Sequence, residues 1–523
     1  MSSDGSAAER HSALERVVNW IEIVGNKLPH PFWLFFLLMF LTMILSTVLN
    51  KAGVSVTYLA AKVGEAPSEV TVTAVNLFTY DIIRQLCSNF VKVYINFAPL
   101  GLVVTMMLGI GIVEQAGMIS ALMRKTVLGA PSFLVTLVLA LVGINANLAS
   151  DAGIIFSPVI GAAVFKALGR NPWVGIITGY AAANGGFTAN FFIAGTDALL
   201  AGITQSAAQG MNVPGPTHPL INWYFTFFST LTLAAATVFV TEKFTVKHLG
   251  DLNAGRDEEE LKKHMVTPEE NRGLRWALVA LVVYLAAVLL LTLPQGSLFR
   301  APDGTLLPNS PLMSSIMMLL FTLFFVVGIA YGVGAGVIRQ GADVPKFMTK
   351  GLQGSVGFMV VVLPAALFIE CFRLSKLDIL LSVAGGDVLK ASGLNGIPLL
   401  VAFVLMVTTI NLFMMSGSAK WLILAPVFVP MLAQVGMPPA LVQAAYRVGD
   451  SSTNPLSPVS PYLPVVLALM EQYKPREGMK VGIGTVTSMT LPYGAVYLVV
   501  FLTQLLVWYA LGLPLGPGTP VHM

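Results

Sequence analysis

Residues 131–168 form an apolar run of nearly 40 residues with Asn145, Asn147, Ser150 and Asp151 in its middle. A run this long and apolar belongs in a bilayer, which takes about 20 residues to cross. One straight helix would hold those four polar side chains at mid-membrane against lipid. A hairpin that enters and leaves on one side hides an irregular tip inside protein, where its backbone groups find partners. The basic flanks agree, with Arg124 and Lys125 before the run and Lys166 and Arg170 after it. The pattern returns at 397–436, around Asn411, Ser416, Ser418 and Lys420. Segments 150–160 and 418–428 read as rough copies, 268 residues apart. Ile144-Asn145 recurs as Ile410-Asn411 at an offset of 266, so Ser150 matches either Ser416 or Ser418. Each run is followed by a polar, glycine-containing break, at 185–190 and 449–454. A duplicated polar tip and broken helix is how many secondary transporters build a central site.

Composition leaves the class in no doubt. Apolar residues make up 55% of the chain, charged residues 11%, and the mean hydropathy is +0.78. Soluble domains carry about a quarter charged residues. The chain reads as a polytopic integral membrane protein. Its first apolar run, 31–50, is too long for a signal-peptide core. Cys87 and Cys371 read as free thiols. Six histidines, two cysteines and no H-E-x-x-H or C-x-x-C argue against a metalloenzyme. No G-x-x-x-x-G-K-[ST] is present, which argues against a P-loop pump.

The predicted fold is all-α: nine transmembrane helices plus two re-entrant hairpins, arranged as an inverted repeat. Residues 1–30 form a cytoplasmic or interfacial segment. The first membrane half, 31–241, contains the hairpin 131–168 and a broken helix at 172–203. A charged cytoplasmic loop follows at 242–274. The second half, 275–512, contains the hairpin 397–436 and a broken helix at 440–472, and 513–523 is a tail. Residues 51–93 read as a Thr/Val-rich connection. Short basic clusters at 124–125, 166–170, 242–275, 339–350 and 474–480 fall on one side by this count. The positive-inside rule puts the N-terminus in the cytoplasm and the C-terminus outside.

Five ionisable residues stand inside the apolar segments: Asp151, Asp197, Lys420, Arg447 and Asp450. A charge at bilayer centre costs at least ~2.5 kcal/mol, so each needs a partner, water or a role. Structural ion pairing is one reading. The clustering of all five at hairpins and broken spans favours a site. Unwound helix frees carbonyls, which together with Asn and Ser oxygens suit Na⁺. The first candidate cation cluster is Asn145, Ser150, Asp151, Gly185 and Asn190. The second is Asn411, Ser416, Ser418, Asp450 and Asn454. Arg447 either grips a substrate carboxylate or pairs with Asp450 one turn on. Trp421 either stacks on an aromatic ring or packs. Lys420 either takes a cation's place or binds an anion. Pro439 serves chiefly to break a helix. The substrate set is Ser150, Asp151, Asn190, Asp197, Ser418, Lys420, Trp421, Pro439, Arg447, Asp450 and Asn454.

Several long motifs carry a resemblance. They are Gly25-Asn26-Lys27-Leu28-Pro29-His30-Pro31, Ala149-Ser150-Asp151-Ala152, Gly186-Phe187-Thr188-Ala189-Asn190, Ser416-Gly417-Ser418-Ala419, and Arg447-Val448-Gly449-Asp450-Ser451-Ser452 with Pro458-Val459-Ser460-Pro461. With the closing 512–518 segment, these resemble the p-aminobenzoyl-glutamate transporter (AbgT) family. The resemblance implies a homodimer in the bacterial inner membrane, with a periplasmic C-terminus and coupling to Na⁺ or H⁺. It places the family's important residues on Asp197, Ser418, Trp421, Pro439, Arg447 and Asp450, with Asn411 and Asp450 near a Na⁺ site. It implies an aromatic carboxylate substrate, p-aminobenzoyl-glutamate or a related folate catabolite. The alternative is efflux of antimetabolites such as sulfonamides and p-aminobenzoate. No organic cofactor and no nucleic-acid partner is expected. A passive channel and a membrane enzyme are the rivals from other classes. The two distinct polar sites argue against the first, and the missing catalytic constellations against the second.

Overall fold

The computed structural model describes Trp20, Ile23, Lys27, Val213 and residues 29–60, 68–210, 215–250, 264–307, 310–474 and 481–523, without the side chains of 59–60, 68, 149–152 and 210. Among the described residues, eight helices are long and apolar enough to cross a membrane: Pro31–Lys51, Tyr80–Gln115, Trp223–Leu249, Pro268–Leu290, Ile316–Gly334, Val356–Leu374, Gly396–Phe413 and Ile483–Ala510. There are nine if Met118–Leu128 and Ser132–Leu148, bent by 116° at their junction, count as one. Local chemistry explains where these helices start. His30 accepts from the Phe32 N–H ahead of Pro31. Thr267 and Glu270 form a reciprocal capping box at the start of Pro268–Leu290.

Three segments differ from expectation. The connection at 51–93 contains a two-stranded antiparallel hairpin, Ser55–Ala60 with Ser68–Thr73, so the fold is not wholly α. Its β-branched Val56, Thr57, Val70, Thr71 and Val72 suit a strand. Helix Tyr80–Ile95 follows, with none of its side chains buried. The segment read as the loop 242–274 is helical at both ends, because Trp223–Leu249 runs on through a π-turn at Thr241–Thr245 and the next helix begins at Pro268. Its acidic run at 257–260 lies outside the described residues, as does most of 1–30. A further helix, Leu377–Ala391, precedes the second hairpin.

Both hairpins form. The first joins Val135–Ile144 to Ser150–Ala167 through a tight 3₁₀ turn, Asn145–Ala149. The second joins Gly396–Phe413 to Gly417–Ala433 through residues 414–416. Both broken helices form as well. Pro172–Gly185 is followed by Gly195–Gly210, and Pro439–Ser452 by Leu463–Gln472. The leading halves, Pro172–Gly185 and Pro439–Ser452, match closely. Each has 14 residues, starts with proline, and is buried along its whole length. A proline at the first helical position gives up only an N–H that has no intrahelical partner. The arms of each hairpin clasp the leading half-helix that follows. The trailing halves cross over: Gly195–Gly210 lies along Gly417–Ala433, and Leu463–Gln472 touches Ser150–Ala167. The broken helices are thereby wedged between the two tips. Outside this core, Pro268–Leu290 packs on Ile316–Gly334 and leaves Leu278, Val279, Val282 and Val283 exposed.

The closest backbone approach in the first clasp is at Gly161 and Gly175. A Cβ on Gly161 would stand 2.2 Å from the Gly175 carbonyl oxygen, and one on Gly175 would stand 2.1 Å from that of Gly161. Small residues let membrane helices approach this closely. Gly161→Val is expected to destabilise the protein by about 3 kcal/mol or more. It should also broaden the size-exclusion peak of detergent-purified protein. An unchanged melting temperature would show that the contact is not needed.

Candidate functional site

The two breaks meet at the centre of the molecule, and buried charges hold them there. Asp197 lies in the first turn of Gly195–Gly210, where a helix N-terminus favours an anion. Its Oδ1 is 2.7 Å from Nη2 of Arg447, which lies within the buried half-helix Pro439–Ser452. Its Oδ2 accepts from the Ala194 N–H at 2.7 Å and from Asn190 Nδ2 at 3.2 Å. Arg447 Nη1 donates to the Thr188 carbonyl at 3.3 Å. Thr188 Oγ1 in turn bonds the Arg447 carbonyl and the Ser451 hydroxyl. The first break is thus tied to the second half of the chain through both side chain and backbone.

A second ion pair closes the other break. Lys420 Nζ is 2.8 Å from Asp450 Oδ1, with both side chains buried. The ammonium also donates to Asn411 Oδ1 and, at 3.2 Å, to the Met414 carbonyl at the hairpin tip. Asn411 Nδ2 donates to Thr453 Oγ1 and Asn454 Oδ1 at 3.0 and 2.9 Å. Asn454 Nδ2 reaches the Asn184 carbonyl in the opposite break at 3.3 Å. Tyr446 donates to the Gly417 carbonyl and, at 3.1 Å, to Asp450 Oδ1. The two pairs leave the four charges balanced.

Arg447 therefore does not pair with Asp450, although the two lie one turn apart. Asp197 reaches it across the fold, and the nearer carboxylate is taken by Lys420. Trp421 does not face a ligand space. It is fully buried, stacks on Tyr446 at 4.4 Å, and donates to Thr204 Oγ1 at 3.0 Å. Pro439 is buried at the start of its helix and serves the break, as expected of it.

A cavity of about 390 Å³ lies between the breaks and the second tip. Of the expected substrate residues, Ser418, Asp450 and Asn454 line it, as does Ser416 from the cation set. Ser416 also accepts from the Ala419 N–H at 3.4 Å as the cap of Gly417–Ala433. Asn190, Asp197, Lys420, Arg447 and Asn411 stand behind this lining. Phe187, Thr196, Met415 and Tyr462 join it without having been singled out. Only the neighbourhood of Phe187 and Tyr462 in the break motifs marked them in the sequence.

The first cation cluster disperses in part. Asn145 splints the tip to the break, donating to the Leu141 carbonyl and accepting from the Phe191 N–H, both at 2.9 Å. Gly185 is pressed on Tyr497, where a Cβ would come within 2.2 Å of the ring. The side chains of Ser150 and Asp151 lie outside the described residues. What the first break does hold is orphaned oxygen. Asn147 Oδ1, Asn184 Oδ1, Asn190 Oδ1 and Thr196 Oγ1 are buried with no hydrogen-bond partner among the described residues. Buried acceptors left bare are costly, and hard oxygen donors fit a hard cation such as Na⁺. In the second cluster Lys420 holds Asn411 Oδ1 and Asp450 Oδ1, and none of the cluster's side-chain oxygens is both fully buried and unpartnered. Among the described residues no group of three or more His, Cys, Asp or Glu side chains could hold a metal.

Paired broken helices around an interior cavity of mixed lining, carried by apolar spans, define a multi-pass membrane transporter. The chain belongs to the AbgT transporter family, whose profile matches residues 16–523. It is 36% identical over 504 residues to the p-aminobenzoyl-glutamate transport protein of Escherichia coli (strain K12), covering 96% of each chain. Its fold matches the Alcanivorax borkumensis YdaH transporter with a TM-score of 0.83 at 33% identity, covering 94% of this chain and 100% of that one. It matches Neisseria gonorrhoeae MtrF, named for a class of antimetabolite efflux pumps, with a TM-score of 0.89 at 35% identity, covering 97% and 100%. The family's members are transporters rather than enzymes.

Removing one partner of a buried pair strands the other. Asp197→Leu is expected to cost about 3–5 kcal/mol, and the double variant Asp197→Leu/Arg447→Met to recover most of that. Thermal unfolding in detergent reads both. A double variant no more stable than the single would show that the pair is not what holds the breaks together.

Proposed function

We propose that this protein is a cation-coupled secondary transporter of p-aminobenzoyl-glutamate or a related aromatic folate catabolite. The single observation that carries this reading is the cavity walled by both breaks and the second tip. Its volume of about 390 Å³ is within the ~300–1,000 Å³ usual for small-molecule sites. Phe187 and Tyr462 line the cavity beside Ser416 and Ser418, whose hydroxyls offer hydrogen bonds to the polar groups of an aromatic ligand. The likeness to the E. coli transport protein supports the substrate. Coupling to Na⁺ is supported by the orphaned oxygens of the first break, with H⁺ as the other candidate ion.

The reading extends to nine spans and two re-entrant hairpins in an inverted repeat. The two all-buried, proline-led half-helices, each clasped by its own hairpin, support the repeat. It places a homodimer in the bacterial inner membrane, N-terminus cytoplasmic and C-terminus periplasmic. The likeness to MtrF favours a second reading, efflux of sulfonamides or p-aminobenzoate. A secondary transporter follows its coupled gradients, so one site serves either direction.

The test is uptake of radiolabelled p-aminobenzoyl-glutamate into proteoliposomes under an inward Na⁺ gradient, under a proton gradient, and under neither. Na⁺-stimulated uptake is expected, reduced by about tenfold or more in Asp450→Asn, a loss of at least ~1.4 kcal/mol of transition-state stabilisation. No uptake under either gradient would sink the substrate assignment. Lower sulfonamide accumulation in expressing cells would then establish the efflux reading.

A further inference from the structure

The two breaks differ in what surrounds their oxygens. Around the first break and the tip beside it, three buried amide oxygens and a threonine hydroxyl have no partner among the described residues. In the second, acceptors from the hairpin arm, the tip and the half-helix converge on a nitrogen. Lys420 Nζ has three N–H donors and meets three acceptors: Asp450 Oδ1, Asn411 Oδ1 and the Met414 carbonyl. A carboxylate, a side-chain amide and a tip carbonyl are a donor set that suits a monovalent metal cation. Here a tethered ammonium takes that position. It is 1% exposed, and it comes from the first helical turn after the tip, so it is delivered by the same element that shapes the cluster.

We infer that the Lys420 ammonium is the resident cation of the second break, and that this break takes no free Na⁺. The inference deepens the proposed cation coupling by assigning any mobile ion elsewhere, with the first break as its place. A fixed cation also explains the packing of Gly417, where a Cβ would stand 3.1 Å from Asp450 Oδ2. The carboxylate is drawn against the tip by its partner, and the tip backbone closes over it.

The test measures equilibrium binding of radiolabelled Na⁺ to purified protein, with Na⁺-dependent melting at constant ionic strength as the second readout. Lys420→Met removes the ammonium and keeps the bulk. This variant is expected to bind about one more Na⁺ per chain than wild type and to gain a rise in Tm with Na⁺, because a ligand that binds the folded state stabilises it. Lys420→Gln, which keeps polar contact with Asn411, serves the same comparison where the methionine variant does not fold. Lys420→Arg keeps a cation in place and should show no gain. The double variant Lys420→Met/Asp450→Asn has no uncompensated carboxylate and should show none either. Folded Lys420→Met or Lys420→Gln protein that binds no more Na⁺ than wild type would overturn the inference. So would loss of a wild-type Na⁺ on Asn411→Ala, which would put a free ion on the second break beside the lysine. Sodium coupling itself is judged separately, by the dependence of wild-type uptake on the Na⁺ gradient.

Discussion

The Asp197 carboxylate and the Arg447 guanidinium lie 2.7 Å apart where the first half of the chain crosses the second. Most of what distinguishes this fold depends on that contact. A lone charge in an apolar interior is unaffordable, and a charge with one ideally placed partner is tolerable. Arg447 sits in a half-helix with every residue buried, so it has no route to water and must be met by a carboxylate. The carboxylate that meets it comes from the opposite broken helix. The pair therefore ties the start of the first trailing half, Gly195–Gly210, to the second leading half, Pro439–Ser452.

The second pair, Lys420 with Asp450, works on a different geometry. It joins a hairpin tip to the helix which that hairpin clasps, and its contacts extend through Asn411, Thr453 and Asn454 to the Asn184 carbonyl. A movement of the second tip would carry Lys420 with it and disturb Asp450, which lines the cavity. At the first break Arg447 reaches the Thr188 carbonyl, and Asn184 Oδ1 and Asn190 Oδ1 are left without partners among the described residues.

Much of this was legible in the residues themselves. Polar side chains in the middle of long apolar runs require a hairpin or a break, because lipid offers them nothing. That argument located both tips and both broken helices. The same reasoning picked out Asp197, Lys420, Arg447 and Asp450 as residues needing partners. It did not find the β-hairpin at 55–73, where Thr/Val-rich sequence suits a strand but short apolar alternation is weak evidence for one. Nor did it find Phe187, Met415 and Tyr462 on the cavity wall, since an aromatic or methionine in a membrane chain is ordinary composition.

Sequence alone determined that the chain spans a membrane, that polar residues interrupt two of its long apolar runs, and that a few charges must be neutralised inside it. These follow from local chemistry: hydrocarbon excludes unpaired polar groups wherever they occur along the chain. Tertiary structure alone decided which charge neutralises which. One helical turn separates Arg447 from Asp450, yet each pairs with a residue brought from elsewhere, Asp197 and Lys420. Partnership between buried charges depends on distances of a few ångströms across packed helices, where the interaction falls off steeply and geometry selects one partner. Spacing along the chain does not encode those distances.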